Sequence, residues 1–403
     1  MNPPQFKSRK STAVSARAWV NGRVAVAGVG CTTFGERWRL GPADLLREAA
    51  AEALNDAGVD RKDIEAAWIG NYYSTSGVGG ASMADALGIH QIPITRVENY
   101  CASGMDAFRN ACFAIAAGAY DLVLVCGVEK LSDNPATGLP PIIPMDPARM
   151  RPSSPGLFAL AATRAFHVWG WSEEDLARVA VKNHKNGARH PKAHFRREIS
   201  MDEAMQAPSI SSPLRRFDCC PTSDGASAIV LASAAAAKRL HSPHPGVLVS
   251  ACETVTATAY PQFDQASTYL GFPATVEAAK RAYRTAGISD PRKEIDFLEC
   301  HDCFTITELL NMQDLQLCES GTAVDLVKGG LTASDGELPV NPSGGLKSFG
   351  HPVGATGCRM IFEVTMQLQG RALGHQVTSA ERGLAHTLGG PGAVASVVIL
   401  ELA

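Results

Sequence analysis

The sequence has almost no charge imbalance. Its 37 Lys and Arg against 40 Asp and Glu leave a formal net charge of −3 over 403 residues. That excludes a general polyanion-binding surface, so no nucleic-acid partner is expected, while a local basic pocket stays open. Long hydrophobic runs are missing too. A stretch such as Ile229 to Ala237 falls far short of the roughly 20 apolar residues that span a bilayer. The N-terminal segment is polar and basic, with no early apolar core or cleavage site, which speaks against a secretory signal. Eleven cysteines are present, but an odd count at irregular spacing makes no disulfide framework. A reducing, cytoplasmic-type compartment is expected. Cys300-x-x-Cys303 has no second such pair to complete a four-ligand zinc site, so no metal is expected.

What is present is ordinary globular material, 45% hydrophobic and 19% charged. The length suffices for two domains or two similar halves. Residues 1–20 read as a disordered tail. Glycine and proline then punctuate alternating strands and helices. Arg23 to Gly28 reads as a strand. Pro42 to Ala57 reads as an amphipathic helix stopped by Gly58, and Ala66 to Gly70 as a second strand. A helix after Cys101 leads to the apolar strand Asp121 to Gly127. This is an α/β protein with a largely buried sheet.

The second half repeats the first. Glu48-Ala49-Ala50 and Ala53 recur as Glu277-Ala278-Ala279 and Ala282, and Ala57-Gly58-Val59 recurs as Ala286-Gly287-Ile288, at one constant offset. Cys101-x-x-Gly104 before a helix recurs as His351-x-x-Gly354 before a helix, Cys358 to Gln369. Two matches in the same order argue for duplication. Equivalent turns in two packed halves would place Cys101 and His351 face to face. Halves are expected at 21–245 and 246–403. Between about Glu129 and Pro213 a Pro-rich run, then helices near Leu157 to Trp169 and Glu173 to Asn186, interrupt the pattern. An insertion of this kind is usually a lid or binding element.

Four loops carry chemistry. A cysteine at a sharp turn into a helix lies near unpaired N–H groups and the positive end of the helix dipole. Both favour thiolate, so Cys101 is a candidate nucleophile; its alternative is a small buried hydrophobe. His301-Asp-Cys303-Phe304, the glycine-rich Asn341 to Gly357 with His351, and His386 to Gly392 each adjoin a strand, where α/β proteins gather their sites.

Together, C-A-S-G-M, S-D-G-A-S-A, N-P-S-G-G and G-H-P-V-G-A-T-G give a chain that resembles the thiolase family along nearly its whole length. H-D-C-F resembles the sterol-carrier-protein type of thiolase within it. The resemblance implies a duplicated thiolase fold, two similar βα halves packed in layers (αβαβα), with an inserted loop domain. It implies catalytic residues Cys101, His301, Cys303 and His351, and substrate-binding residues Ser343, Gly344, Leu388 and Gly389. Cys101 would carry the acyl group and His351 would take its proton. Cys303 would replace the acid/base cysteine that other thiolases carry in the C-terminal glycine loop, where this chain has His386. His301 would steady the enolate oxygen. The N–H of Cys101, with one near Leu388, would hold the oxyanion, and His386 is expected to be structural. Coenzyme A and acyl-CoA would be substrates, with no bound cofactor. A homodimer or dimer of dimers and an OB-fold partner protein are the expected associations. The rivals are a decarboxylating ketoacyl synthase, a side-chain retro-aldolase and a non-catalytic acyl-CoA-binding subunit.

Overall fold

The computed structural model describes residues 20–73, 78–133, 153–240, 243–261 and 264–403. The expected tail and most of the Pro-rich run lie outside the described residues, except that Val20 is buried in the core. The first strand, β1 (Val24–Cys31), runs further than Arg23 to Gly28. Helix α1 (Pro42–Ala57) begins on Pro42 and stops at Gly58, φ 66°. Proline gives up only an N–H that has no partner in the first turn, and glycine takes the left-handed cap without strain. Then follow β2 (Ala66–Gly70), α2 (Gly80–Leu87), β3 (Ile94–Val97), α3 (Ser103–Ala116) and β4 (Leu122–Lys130).

The inserted segment holds α4 (Ser154–Trp169), α5 (Glu173–Gly187), α6 (Met201–Gln206) and a short ribbon, β5 (Ser209–Ser211) with β6 (Leu214–Arg215). Ser153 and Ser172 cap α4 and α5 through their hydroxyls, satisfying N–H groups the helices leave open. β7 (Asp224–Ser233) and α7 (Ala234–Ala237) close the first half. The second half runs β8 (Val247–Thr256), α8 (Pro273–Ala286), α9 (Pro291–Glu294), β9 (Phe297–Glu299), α10 (Thr305–Asp314), α11 (Ala323–Lys328), α12 (Gly345–Phe349), α13 (Thr356–Leu368), β10 (Arg382–Gly389) and β11 (Val394–Leu402).

The strands order as β3-β2-β4-β7-β1-β8-β11-β10-β9. Read outward from the middle, the two sides match: β1 with β8, β7 with β11, β4 with β10, β2 with β9. An isolated parallel bridge from Leu298 to Val340 stands where β3 stands in the first half. The duplication seen in the sequence is thus a duplication of topology. The halves are also stitched edge to edge by a short β1–β8 pairing, Ala25 to Leu248 and Val26 to Val247, which the sequence reading did not anticipate.

Burial separates outer helices from inner ones. α1 buries only one face, through Leu45, Leu46, Ala49, Ala50, Ala53 and Ala57. Every residue of α13 is buried, and so is most of α3. These two equivalent helices pack on each other and on strands of both halves, forming the middle layer. Large side chains there, such as Met105, Phe108, Ile361 and Phe362, are at most 1% exposed. Each is worth about 1.5–3 kcal/mol in burial, so the centre that carries the two reactive turns is firmly held.

Candidate active site

Cys101 sits where β3 turns into α3. Tyr100 before it adopts φ 52°, a left-handed conformation that costs a bulky residue energy and persists only where its surroundings hold it. The Ser103 hydroxyl does so, donating to the Tyr100 carbonyl at 2.5 Å and accepting the Asn99 N–H at 2.9 Å. The matching turn precedes α13. Gly104 and Gly354, equivalent in the repeat, meet there: a Cβ on Gly104 would lie 2.5 Å from the Gly354 carbonyl oxygen. Only glycine lets the two turns approach so closely. The result is Cys101 Sγ 3.3 Å from His351 Nε2.

The hydrogen bonds around His351 set its tautomer. The Thr356 hydroxyl donates to the Pro352 carbonyl at 3.0 Å, so toward His351 Nδ1, 2.7 Å away, it accepts. Nδ1 therefore carries the proton and Nε2 presents a lone pair to the Cys101 thiol. His301 stands edge-on to His351, ring centres 5.2 Å apart. The donor atoms of Cys101, His301 and His351 all lie within 4.8 Å of one another. Among the described residues they are the set that converges enough to hold a metal ion.

Cys303 shares the cavity. About 40 Å³ of space is lined by Cys101, His301, Cys303, Tyr72, Tyr100 and Phe158, with Gly390 and Pro391 closing one side. That is room for a few water molecules. Between the two reactive residues of the H-D-C-F loop, Asp302 faces the other way. It accepts the N–H groups of Leu346 (2.6 Å) and Lys347 (3.2 Å) and the Asn183 amide (2.7 Å). It thereby locks this loop to α12. Gly345 permits it: φ is +60°, and a Cβ would strike Asp302 Oδ2 at 2.3 Å.

Burial dominates the electrostatics. It pushes the Cys101 thiol up to about 12, against hydrogen bonds from the N–H groups of Gly390 and Cys101 itself. The sequence reading favoured a thiolate at the helix start; in the folded protein the loss of solvent outweighs that effect, and the resting group is a thiol. Burial, then Arg359, holds His351 down to about 3, so it is a neutral base. His301 is lowered by burial and by His351 and is also neutral. Cys303 is raised well above an ordinary thiol by burial, then by Cys220 and Cys101. The arrangement is a proton-bearing nucleophile against a neutral base, with a second thiol across the cavity.

The remaining candidates divide. His386 lies in β10, its Nε2 3.1 Å from the Thr275 hydroxyl and its Nδ1 beside Cys300, a buried structural position. Ser343 is turned away from the cavity: its hydroxyl donates to Glu299 at 2.8 Å and accepts from Arg359 at 2.9 Å. Gly344 packs on α5, where a Cβ would lie 2.6 Å from Gly187 Cα. Leu388 and Gly389 belong to the β10–β11 ladder. Gly389 abuts the Cys101 turn, but the N–H reaching Cys101 from this loop is that of Gly390.

Glu129 was missed. At the end of β4 it accepts the Asn71 amide (2.7 Å) and the N–H groups of Tyr72 (3.0 Å), Tyr73 (3.2 Å) and Gly354 (3.0 Å). It ties one wall of the cavity to the His351 turn.

Two larger cavities flank the reactive one. A polar cavity of about 1050 Å³ is lined by Arg196, Arg197, Arg216, Lys347, His194 and Phe304, among others. An apolar cavity of about 540 Å³ lies between α4, the start of α8 and the end of α10. Phe304, in the wall of the first, stacks at 4.7 Å on Phe158, which lines both the second and the reactive cavity. The segment Lys182 to Arg197 is rich in lysine and arginine, and its cations divide between two settings. Lys182 is bound to Glu308 and the Val340 carbonyl, and Lys192 to Glu52 and the Cys31 carbonyl. Arg196 and Arg197 line the polar cavity.

Comparison with known proteins gives the same picture along the chain. Residues 24–235 match the family Thiolase, N-terminal domain, and residues 256–402 match Thiolase C-terminal domain-like. The chain is 38% identical over 385 residues to an acetyl-CoA acetyltransferase of Methanothermobacter thermautotrophicus, spanning 94% of this chain and 99% of that one. It is 36% identical over 391 residues to sterol carrier protein 2 of Homo sapiens, spanning 92% and 71%. A solved structure, that of an Ltp2-ChsH2(DUF35) aldolase, matches in fold, with a TM-score of 0.82 at 24% identity over 95% of this chain and 98% of that chain.

Proposed function

The chain belongs to the thiolase family and is an acyltransferase, and from that premise we propose that it cleaves 3-ketoacyl-CoA, or runs the reverse condensation, through an acyl group on Cys101. One observation carries the assignment: Cys101 Sγ lies 3.3 Å from the lone pair of His351 Nε2, with His301 and Cys303 in the same cavity.

In cleavage, His351 takes the Cys101 proton as the sulfur attacks the 3-keto carbon. The N–H groups of Cys101 and Gly390 receive the oxyanion. The bond between the α-carbon and the keto carbon then breaks, leaving the acyl group on Cys101 and an acetyl-CoA enolate. His301 hydrogen-bonds the enolate oxygen, and the Cys303 thiol gives its proton to the α-carbon. Coenzyme A gives its thiol proton to the Cys303 thiolate as its sulfur attacks the thioester and leaves as the shortened acyl-CoA, and the displaced Cys101 thiolate takes back the proton held on His351. Run backwards, Cys303 removes the α-proton. A retro-aldolase has no use for an acylated Cys101, and a decarboxylating synthase has none for Cys303.

The polar cavity is our choice for coenzyme A and the apolar one for the acyl tail, since they lie on opposite sides of the Phe304–Phe158 stack. That division supports a place in acyl-chain metabolism, of fatty or steroid type. β3 is one of the two edge strands of the sheet and leads straight into Cys101, which supports a homodimer, or dimer of dimers, through this edge. An OB-fold partner is supported by the structural neighbour, an aldolase whose name pairs Ltp2 with a DUF35 protein. A reducing, cytoplasmic compartment is supported by cysteines that are all free. No helix among the described residues is long and apolar enough to cross a membrane. The test is direct: acetyl-CoA should add one acetyl group to Cys101, read by peptide mass mapping. Acetylation elsewhere, or none together with no thiolysis of any 3-ketoacyl-CoA, would overturn the reading.

A further inference from the structure

The apolar cavity contains a polar group that the packing leaves half used. Asp314 closes α10 and lines this cavity. Its Oδ2 accepts the Phe272 N–H at 2.6 Å. Among the described residues no donor reaches its other oxygen and no cation pairs with it. The apolar part of the wall is Leu157, Phe158, Ala161, Leu270 and Phe272, and Thr258, Ser267 and Thr268 also line the cavity. Asp314 is only partly buried and its free oxygen is open to the cavity rather than sealed in the packing, so a ligand group entering the cavity can reach it. Its distance from the chemistry is set by the helix. α10 starts at Thr305, two residues after Cys303, and its rise puts Asp314 roughly 14 Å further along.

We propose that the apolar cavity selects acyl groups bearing a hydroxyl toward their far end, with Asp314 as the residue that recognises it. The inference rests on the thiolase reading above. A hydroxyl is the matching group because it both donates and accepts. A carbonyl could only meet a protonated Asp314, and an ammonium group only an ionised one. Burial holds the Asp314 carboxyl up to about 7, with the Phe272 N–H opposing, so both states are present near neutral pH and a hydroxyl serves each. The other titratable groups near it are Glu277 of α8, held by Arg281 at 2.7 Å, and Asp264 and Tyr269 of the loop before α8. Behind it are Cys318, which faces Arg292 and Asp325, and Tyr283, whose hydroxyl donates to the Leu315 carbonyl. The α4 side chains that line the cavity, Leu157, Phe158 and Ala161, are apolar.

The test compares 3-ketoacyl-CoA pairs of equal length, one ending in methyl and one in hydroxymethyl, with tails from hexyl to dodecyl. The readout is the ratio of kcat/KM within each protein, so partial loss of folded enzyme cancels. Wild type should favour the hydroxyl by about tenfold at one tail length, the worth of one hydrogen bond to a charged group. That ratio should rise with pH through about 7, because the ionised carboxylate is the stronger acceptor. Asp314→Asn preserves shape and the Phe272 contact, and its ratio should be flat with pH. Asp314→Leu should bring the ratio to one or below. A wild-type ratio of one at every length, or a ratio and pH profile unchanged in both variants, overturns the proposal. Thiolysis and Cys101 acetylation without hydroxyl preference would leave the thiolase reading intact. Absence of both would remove that reading, and this one with it.

Discussion

At the scale of single residues, the proposed reaction divides proton work between two thiols that burial keeps protonated. Cys101 has a base 3.3 Å away. Cys303 has the Thr307 hydroxyl at 3.9 Å and, among the described residues, no base in hydrogen-bond contact. In the proposed reaction the first would lose its proton to a neighbour and the second would exchange one with a carbon acid in the cavity. Cys303→Ala should therefore still accept acetyl from acetyl-CoA onto Cys101, a step that needs Cys101, His351 and the oxyanion donors. Carbon–carbon cleavage should fall by about 10²–10⁴-fold, the usual worth of a positioned acid or base. Acyl-enzyme mass and thiolysis rate on one preparation separate the steps. Near wild-type thiolysis in Cys303→Ala would reduce Cys303 to a packing residue. His351 shows what a sequence leaves unsaid at this scale. Its identity and its turn were legible in G-H-P-V-G-A-T-G, but its tautomer depends on where the Thr356 hydroxyl points.

At the scale of elements, the two turns meet because α3 and α13 are one repeated helix packed against its copy. That much was legible, since glycine spacing and the Glu-Ala-Ala repeat are local patterns. Glu129 was not legible. It ends an apolar strand and reads as the point where that strand reaches solvent; its four donors come from Asn71 to Tyr73 and from Gly354, segments far apart in sequence. Ser343 shows the opposite case. A serine before two glycines reads as a binding loop, yet Glu299 and Arg359 of other elements claim its hydroxyl. Glu129 also carries a testable consequence. Burial raises its carboxyl to about 7, well above its unfolded value near 4.3. A group raised on folding contributes stability that is fully present below the unfolded pKa and is lost as pH rises through the folded one. Asp302 and Asp314, also raised to about 7 by burial, have the same sign. Tm should therefore fall between about pH 4 and 7 from these groups and level off above. Glu129→Gln should remove part of that slope. It should also lower Tm throughout, because its amide turns a donor toward donors, at about 1–3 kcal/mol for an unsatisfied buried group. A pH profile parallel to wild type would contradict the assignment.

At the scale of the whole molecule, a chain of net charge −3 gathers cations at one mouth. Among the described residues Arg196 bonds only the Pro191 carbonyl, at 3.3 Å, and Arg216 forms no ion pair. Arg197 shares its charge with Glu203 at 3.0 Å. Lys347, fully buried at the inner end, donates to the Cys219 carbonyl at 2.5 Å. Charge therefore stands free at the outer rim and is committed further in, the gradient expected where phosphates stay outside and a neutral pantetheine arm enters. Arg196→Glu and Arg216→Glu should each raise KM for coenzyme A several-fold at low salt, with kcat nearly constant, because the phosphates are held equally in ground and transition states. The effect should shrink as salt is added, since rim charges are screened within about 8–10 Å at ordinary ionic strength. Pantetheine offers the same thiol without phosphates, so its KM should not respond to either reversal. Equal effects on coenzyme A and pantetheine would mean that the substitutions distort the cavity. No effect on either would make the rim a solvated surface and send the search for the phosphates elsewhere on the molecule.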